Sequence, residues 1–320
     1  MSGDTVLVTG GLGCLGSWVT RLLVQGGAKV VIFDASTDDR RLQLVLEPDE
    51  RSRVELVQGD LTDPKQVIDA VAAATHVIHL GALQVPFCRA DPALGAAVNV
   101  MGTVHILEAA KASGLEHLVY ASSAAVYGMP ESYDTDVLPA DALRRPTTLY
   151  GAYKVANEDC AGVYWADHGV SSIGLRPHTV YGPARDQGMT SQPTTAILAA
   201  TRGQPYHIDY GGSLLFQHAA DVAAMFVSAA RTDFRGADVY NLGGEVMTIA
   251  DFVSTTAAAT GFDGITHGSE QLPLPRDFDD SAAQTTLGPA TSMSVSDGIA
   301  ATVAWFRGAE AEGRPLPPAA

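Results

Sequence analysis

The sequence predicts an α/β protein whose main domain is a doubly wound parallel sheet, followed by a smaller C-terminal lobe. Short apolar runs alternate with helix patterns through the first 175 residues, and a glycine-rich turn joins the first run to the first helix. This alternation weakens beyond residue 181, where Gly and Pro interrupt the chain. Strands that alternate with helices imply right-handed crossovers and a parallel sheet covered on both faces.

Each predicted element follows from a local pattern. Residues 5–9 (TVLVT) are a short apolar run that is typical of a buried strand, and similar runs predict strands at 30–33, 54–57, 76–80, 118–121 and 171–175. Apolar residues at helical spacing predict helices over 15–25, 66–74, 98–112, 150–168 and 221–230. Residues 176–183 are expected to leave the last strand as a loop.

The predicted elements divide the chain into a main domain and a lobe. We expect residues 1–180 to form the main domain, with residues 211–244 packing back on it. Residues 181–210 and 245–313 are expected to form the smaller lobe, and the Pro-rich residues 314–320 to be frayed.

Composition excludes several classes of protein. With 46% hydrophobic and 18% charged residues, the chain is typical of a globular enzyme and not of a disordered protein. A formal net charge of −16 disfavours nucleic acid and anionic membranes as partners. We expect no membrane-spanning segment, because no apolar stretch approaches 18 residues, and we expect a cytoplasmic location. Neither the three cysteines nor the nine histidines have the spacing of metal ligands, so no metal site is predicted.

The turn between the first strand and the first helix has the pattern of a dinucleotide site. Gly10, Gly13 and Gly16 are spaced G-x-x-G-x-x-G, which allows a tight turn and a close approach of the backbone to a pyrophosphate. The N-terminus of the following helix, with Cys14 and Leu15, offers N–H groups and a positive dipole end to that anion. The strand–turn–helix context makes the motif specific.

Residues after the next strands extend this site. Asp34 ends the second strand, where a carboxylate accepts hydrogen bonds from ribose hydroxyls and repels a 2′-phosphate, so NAD is favoured over NADP. Arg40 and Arg41 lie close enough in sequence to weaken that preference. Further cofactor contacts are expected from residues that follow strands three and four and from the next helix, namely Asp60, Leu61, Leu80, Gly81, Ala82 and Asn99.

A candidate acid–base pair lies on the helix that begins near residue 150. Tyr150 and Lys154 are four residues apart, so their side chains share one face. Lowering a phenol pKa from about 10 to about 7 requires roughly 4 kcal/mol of preference for phenolate. An ammonium about 5 Å away supplies roughly 3 kcal/mol at an effective dielectric of about 20, and an oxidised nicotinamide would add more. Ser123, at the end of the fifth strand, is placed to hold a substrate oxygen beside Tyr150.

Together these motifs resemble the extended short-chain dehydrogenases and, among them, the NAD-dependent epimerase/dehydratase family of nucleotide-sugar enzymes. The resemblance rests on residues 9–16, Asp34, 60–61, 79–82, Asn99, 122–128 (SSAAVYG), the Tyr150-x-x-x-Lys154 pair and 176–183 (RPHTVYGP). It implies a Rossmann domain with a C-terminal substrate-binding lobe and a catalytic set of Ser123, Tyr150 and Lys154. It also implies a homodimer formed by the helix from Val98 and the helix that carries Tyr150.

The same interpretation assigns the remaining site residues. Cofactor contacts are expected from Ser122 and Pro177 besides Tyr150 and Lys154. Substrate contacts are expected from residues near the ends of the fourth, fifth and sixth strands and in the loop after them: Gln84, Ser123, Ala124, His178, Thr179 and Arg185.

Two positions depart from the family's usual pattern. Members often carry an arginine four residues before the position of His218, but this chain has Leu214 there. Members also often have asparagine at the position of Thr179, and threonine there resembles the uronate-type 4-epimerases. A missing bidentate cation weakens the case for a nucleotide diphosphate, so a free sugar or sugar acid is also considered. Candidates for a replacement anchor are Arg185, Arg202 and Arg276.

The leading functional hypothesis is an NAD-dependent sugar or sugar-acid epimerase that acts through a transient keto intermediate. Leu214 leaves open a second hypothesis, an NAD-dependent dehydrogenase of a free sugar, sugar acid or related secondary alcohol. A non-catalytic dinucleotide-sensing protein is a third, which the intact Ser–Tyr–Lys set disfavours.

Overall fold

A computed structural model describes residues 3–289 and 292–317 of the chain. Its strands are β1 Thr5–Thr9, β2 Lys29–Asp34, β3 Val54–Gln58, β4 His76–His79, β5 His117–Ala121, β6 Val137–Leu138, β7 Ser172–Arg176, β8 Thr179–Tyr181, β9 Tyr206–Ile208, β10 Ser213–His218, β11 Ala237–Asn241, β12 Glu245–Thr248, β13 Ile265–His267 and β14 Asp277–Phe278.

The α-helices are α1 Cys14–Gln25, α2 Arg40–Val45, α3 Pro48–Arg51, α4 Pro64–Ala72, α5 Val85–Ala90, α6 Pro92–Ala96, α7 Gly102–Ser113, α8 Leu149–His168, α9 Gln192–Thr201, α10 Ala219–Ala230, α11 Ile249–Thr260, α12 Ser281–Leu287 and α13 Val295–Ala311. A π-helical segment, Ala97–Met101, joins α6 to α7, and short 3₁₀ turns cover Ala124–Val126 and Pro130–Ser132.

Seven of the described strands form a parallel sheet in the order β11-β7-β5-β4-β1-β2-β3. The order reverses between β1 and β4, which pair directly with each other. Both faces of the sheet are covered: Val6 and Val8 belong to the same apolar cluster as α1 and α10, whereas Leu7 packs with residues of α4 and α7. This alternation along β1 follows from the two-residue period of a strand and confirms the predicted doubly wound sheet.

The later segments form smaller sheets beside the main one. In the described part of the chain, β12, β10 and β8 make a three-stranded sheet, and two parallel pairs join β9 to β13 and β6 to β14. The expectation that residues 176–183 are only a loop is therefore wrong, because Thr179–Tyr181 pairs in parallel with Phe216–His218. Of residues 211–244, α10 packs on α1 and β11 extends the main sheet, whereas β10 belongs to the smaller sheet.

The helical run from Pro92 to Ser113 departs from the expected absence of long apolar helices. It has 22 residues and a mean hydropathy of 1.3 in its most apolar window, so length and composition alone would let it cross a membrane. The prediction began the helix at residue 98 and missed the continuous turns before it. Nearly half of that window is buried inside the protein, and buried core helices pass the same test.

Part of the C-terminal tail is packed and not frayed. The Arg314 guanidinium bonds Glu47, at 2.5 Å, and Glu312, at 2.7 Å. Leu316 packs against the main apolar cluster. The expectation of fraying is therefore wrong for residues 314–317, because this ion pair and the apolar contact hold them, and residues 318–320 lie outside the described residues.

Candidate active site

The main cavity of the described chain lies along the carboxyl edge of the parallel sheet, where the strand order reverses. Its volume is about 560 Å³. Residues that directly follow strands line it, including Gly10 after β1, Leu80 after β4, Ser122 after β5 and Pro177 after β7. This is where open parallel sheets bind their ligands.

Nearly all of the predicted site residues line this cavity. From the cofactor set these are Gly10, Gly13, Cys14, Leu15, Gly16, Asp34, Asp60, Leu61, Leu80, Gly81, Ala82, Ser122, Tyr150, Lys154 and Pro177. From the substrate set they are Gln84, Ser123, Ala124, His178 and Arg185. The two exceptions are Asn99 and Thr179.

The glycine loop leaves no room for side chains, as a pyrophosphate cradle requires. Gly10 has φ +67°, and a Cβ there would lie 2.7 Å from the Gly81 backbone. A Cβ on Gly16 would lie 2.3 Å from the Gly10 carbonyl oxygen. Helix α1 begins after Gly13 with no side-chain cap among the described residues, so N–H groups of its first turn stay available to an anion.

The adenosine end is defined by a carboxylate with a fixed orientation. Asp34 Oδ2 accepts a hydrogen bond from the Leu12 N–H at 3.1 Å, and its Oδ1 accepts one from the Ser36 N–H at 3.0 Å. Asp60, after β3, is held by the Thr62 N–H at 2.8 Å. The glycine cradle and the Asp34 carboxylate fit a dinucleotide that is anchored at its pyrophosphate and its adenosine ribose.

Asn99 holds a loop of the cavity wall and does not contact the cavity itself. Its Oδ1 accepts from the Leu83 N–H at 2.7 Å, and its Nδ2 donates to the Leu83 carbonyl at 2.8 Å and to Cys88 Sγ at 3.4 Å. All of its polar atoms are thus engaged, and the residue is buried in the π-helical segment. Asn99 therefore does not line the cavity with the other predicted cofactor residues, and its direct contact with the cofactor stays a prediction.

The three predicted catalytic residues converge at one end of the cavity. Lys154 Nζ lies 5.6 Å from the centre of the Tyr150 ring and donates a hydrogen bond to the Ala121 carbonyl at 2.6 Å. Ser123 Oγ accepts from the Ala125 N–H at 3.1 Å, which orients the hydroxyl at the end of β5. Thr148 caps α8 by accepting from the Gly151 N–H at 3.0 Å, which fixes the first turn that carries Tyr150.

Burial shifts both titratable groups of this set toward their neutral forms. It raises the pKa of Tyr150, and the Ser123 hydroxyl and the Arg185 charge oppose that rise. It lowers the pKa of Lys154 to about 8. A phenolate therefore needs positive charge beside it, and the Lys154 ammonium is placed to provide it.

A buried ion pair behind the site was missed by the sequence-based prediction. Glu158, one turn after Lys154, receives two hydrogen bonds of 2.7 Å from Arg176 and also bonds the Ser122 hydroxyl. Arg176 donates in turn to Tyr127 Oη at 2.6 Å. This network fixes α8 against the ends of β5 and β7. The spacing Tyr150, Lys154, Glu158 was a readable signal, since all three share one helix face.

The substrate end combines apolar walls with two polar side chains whose hydrogen-bonding capacity is incompletely used. Arg185 Nη2 donates to Thr190 Oγ1 at 3.0 Å, but its Nε has no partner in the described structure. Gln84 Oε1 is likewise buried without a partner there. His178 Nε2 bonds the Pro275 carbonyl at 2.8 Å, and burial lowers its pKa to about 4, so this ring is neutral.

Thr179 does not reach the cavity. Its neighbours His178 and Val180 line the cavity, whereas Thr179 is fully buried in β8, with Oγ1 3.1 Å from His178 Nδ1. Alternation along the strand sends its side chain away from the cavity, and a direct contact of Thr179 with the substrate stays a prediction.

Among the candidate anchors for an anionic substrate, only Arg185 lines the cavity. Arg202 pairs with Glu310 at 3.2 Å, and Arg276 pairs with Asp136 at 3.4 Å on the surface. Leu214 is fully buried in β10 opposite Met247. The loop after β8 adds Gln187, Met189 and Thr190, which the prediction did not include because no local motif marks them.

Comparison with known proteins identifies the family. Residues 6–243 match the sequence model of the NAD dependent epimerase/dehydratase family. The chain belongs to this family. The UDP-glucose 4-epimerase of Mycolicibacterium smegmatis is 30% identical over 315 residues, which cover 94% of this chain and 98% of that protein. UDP-glucuronate 4-epimerase 6 of Arabidopsis thaliana is 36% identical over 198 residues, which are 57% of this chain and 40% of that one.

Solved structures of similar proteins agree with this membership. MoeE5, solved in complex with UDP-glucose and NAD, is 30% identical and superimposes with a TM-score of 0.81 over 96% of this chain and 99% of that chain. As a member of the NAD-dependent epimerase/dehydratase family, the chain is an NAD-dependent enzyme of the extended short-chain dehydrogenase type. The predicted family, fold class and cofactor are thereby confirmed. Among the described residues no cluster of His, Cys, Asp and Glu has the geometry of a metal site.

Proposed function

We propose that this enzyme is a sugar epimerase that inverts a secondary carbinol through a transient ketone. The observation that carries the proposal is the convergence of Ser123, Tyr150 and Lys154 at the end of a cavity whose other end is the glycine cradle. The similar proteins support it, because a UDP-glucose 4-epimerase and MoeE5 with bound UDP-sugars and NAD match nearly the whole chain.

The residues of the cavity account for the proton transfers. When bound, NAD supplies the acceptor, and then the donor, of the hydride. Tyr150 removes the proton from the substrate hydroxyl while Lys154 stabilises its phenolate. Ser123 holds the same oxygen by a hydrogen bond and polarises the ketone. The ketone then turns within the cavity, so that the opposite face of its carbonyl carbon points toward the cofactor end. Tyr150 returns the proton to the ketone oxygen, which gives the inverted alcohol.

We propose that the sugar carries an anionic group which Arg185 binds. Among the cationic side chains that line the described cavity, Lys154 lies beside Tyr150 and stabilises its phenolate, and Arg40 and Arg41 are paired with Asp186. Among the described residues, the Arg185 guanidinium bonds only the Thr190 hydroxyl, and it retains unused donors. A carboxylate or phosphate satisfies a guanidinium best. Both UDP-sugars and sugar acids provide such a group, and UDP-glucuronate provides both.

A panel of sugars tests the proposal. The purified protein is first denatured and the released NAD(H) is quantified. The protein is then incubated with UDP-glucose, UDP-glucuronate, free hexuronates and free hexoses. The products are identified by NMR, and formation of NADH is followed by its absorbance. We expect an epimer to form without net NADH. Accumulation of ketone and NADH with added NAD would instead show a dehydrogenase and overturn the proposal.

We also propose a homodimer and a cytoplasmic location. Apolar side chains remain exposed on the helical run 92–113 and on α8, namely Leu94, Met101, Leu149, Val163 and Trp165. Two such helices from each of two chains would bury these side chains in a four-helix interface. The cytoplasmic location is supported by the three cysteines, which are free thiols.

A further inference from the structure

Two arginines at the adenosine end of the cavity are engaged by one aspartate from a distant loop. Asp186 Oδ1 accepts from Arg41 Nε at 2.6 Å, and its Oδ2 accepts from Arg40 Nη2 at 3.3 Å. The Asp186 side chain is 8% exposed and that of Arg41 16%, so solvent screens this contact only weakly. Arg40 has a second, more exposed partner in Asp38 at 3.4 Å.

The backbone of the loop after β8 holds Asp186 in position beside Arg40 and Arg41. Trp18 Nε1 donates to the Pro183 carbonyl at 2.9 Å, which fixes the loop over the first turns of α1. Ala184 follows with φ +72°, a left-handed conformation that is unfavourable for a residue with a Cβ. The Arg185 N–H then bonds the Gly182 carbonyl at 3.1 Å, which closes the turn. A strained and tethered turn indicates that the direction of the following side chains matters.

The two arginines that Asp186 engages lie where the adenosine ribose of a dinucleotide is expected to bind. Arg40 and Arg41 line the cavity together with Asp34 and Ser36, where the adenosine ribose of a dinucleotide is expected. Guanidinium groups near that ribose are the usual means of binding the 2′-phosphate that distinguishes NADP from NAD. We propose that Asp186 is a specificity-determining residue, which engages Arg40 and Arg41 and so keeps the enzyme selective for NAD.

The charges around the ribose position support this role. A 2′-phosphate brings close to two negative charges, whereas an ordinary ribose brings none. With Asp186 in place, its carboxylate offsets one of the two guanidinium charges and holds their donors away from a ligand. Asp34 then remains as a carboxylate that repels phosphate. Without Asp186, Arg40 keeps the exposed Asp38 carboxylate as its partner, and the Arg41 donors become available to phosphate oxygens.

Binding measurements on purified protein test the inference independently of which sugar is the substrate. The affinities for NAD and NADP are measured by calorimetry, after removal of resident nucleotide, for wild type, Asp186→Asn and Asp186→Glu. We expect Asp186→Asn to raise the ratio of NADP to NAD affinity by about tenfold or more, since a freed charge-assisted contact is of that size. Asp186→Glu keeps the charge and should keep NAD selectivity.

Asp38→Asn is the matched control. It removes one carboxylate from the same cavity wall and loosens Arg40, but it leaves Arg41 bound to Asp186. If Asp186→Asn changes the ratio of NADP to NAD affinity no more than Asp38→Asn does, the loss of any one negative charge from the cavity wall explains the change. The inference is then overturned. Equal loss of NAD and NADP binding in Asp186→Asn would also overturn it, because Asp186 would then only support the fold of the loop.

An Asp34→Ser background sharpens the result. Removing the Asp34 carboxylate relieves the direct repulsion of a 2′-phosphate. If Asp186 masks the arginines, the double variant Asp34→Ser, Asp186→Asn should bind NADP more tightly than Asp34→Ser alone. Equal NADP affinities in the two proteins would show that Arg40 and Arg41 cannot reach the phosphate, contrary to the inference.

Discussion

At the scale of single residues, the chemistry depends on how much charge surrounds the Tyr150 hydroxyl. Burial raises its pKa, and the Ser123 hydroxyl and the Arg185 charge oppose this rise. The Lys154 ammonium lies 5.6 Å from the ring centre. A unit charge at that distance contributes roughly 3 kcal/mol at an effective dielectric of about 20. For an unperturbed phenol this is most of the roughly 4 kcal/mol preference for phenolate that neutral pH requires. The oxidised nicotinamide ring is expected to supply the remainder and to offset the effect of burial.

Replacing Tyr150 by Phe removes the proton acceptor without opening a cavity. Turnover should fall by about 10²–10⁴-fold, the usual size of a general acid–base contribution, whereas NAD should stay bound. Tyr153→Phe is the control, because that phenol lies on the same helix but bonds the Pro92 carbonyl at 2.9 Å outside the cavity. Steady-state rates and released NAD measure both effects. Undiminished turnover in Tyr150→Phe would remove this residue from the mechanism.

The depressed pKa of Lys154 predicts a pH dependence of stability. Below pH 8 the folded and unfolded chains both hold this proton, so the group adds no pH dependence. Between its folded pKa of about 8 and its ordinary value of 10.5 the unfolded chain binds more protons, so the free energy of unfolding rises with pH. Relative to a Lys154→Met variant, the rise should approach about 1.4 kcal/mol per pH unit.

Chemical denaturation of wild type and Lys154→Met at several values between pH 7 and pH 10 measures this difference. Taking the difference cancels the titration of every group that both proteins share. A difference in unfolding free energy that stays constant across the whole range would show that burial does not depress the Lys154 pKa.

At the scale of elements, two glycines in helices illustrate opposite roles. Gly16 lies in α1, where a Cβ would meet the Gly10 carbonyl and the Gly11 backbone, whereas Gly162 lies in α8 with nothing within 4 Å. Gly16→Ala should displace the cofactor loop, which lowers both NAD affinity and melting temperature. Gly162→Ala should stabilise the protein by about 0.5–1 kcal/mol, since alanine is the better helix former.

Calorimetric titration with NAD and thermal unfolding follow both glycine variants. Normal NAD affinity in Gly16→Ala would mean that the loop tolerates a side chain and that close packing does not define the cradle.

Helix α8 positions functional side chains by its periodicity, because one face places Tyr150, Lys154 and Glu158 at successive turns. The buried Glu158–Arg176 pair then holds the catalytic face against the sheet.

At the scale of the whole molecule, the exposed apolar side chains of α8 and its neighbour predict assembly. Val163 on α8 is 56% exposed, and a charge there would have to be buried in the proposed interface. Wild type should therefore sediment as a dimer and Val163→Asp as a folded monomer. Val246→Asp, at a 43% exposed valine of β12 in the smaller sheet, is the control and should remain dimeric. A monomeric wild type would contradict the proposed dimer.

The sequence by itself determined the alternation of the main-sheet strands β1 to β5 and β7 with helices, the glycine cradle, Asp34 and the Tyr150–Lys154 pair. These depend on local spacing: a strand alternates every two residues, a helix repeats every 3.6, and a strand–turn–helix brings its own glycines together. The carboxyl edge of a parallel sheet then gathers the residues that follow each strand, which made most cavity contacts predictable.

Tertiary structure alone decided contacts between segments far apart in sequence. Asp186 meets Arg41 across 145 residues, and no local pattern encodes that pairing. Strand alternation in β8, which the prediction took for a loop, turned Thr179 away from the cavity, and the Leu83 backbone engaged Asn99. In each case the side chain was placed by packing and hydrogen bonding between elements, which follow from the three-dimensional arrangement of the chain and not from the spacing of residues along it.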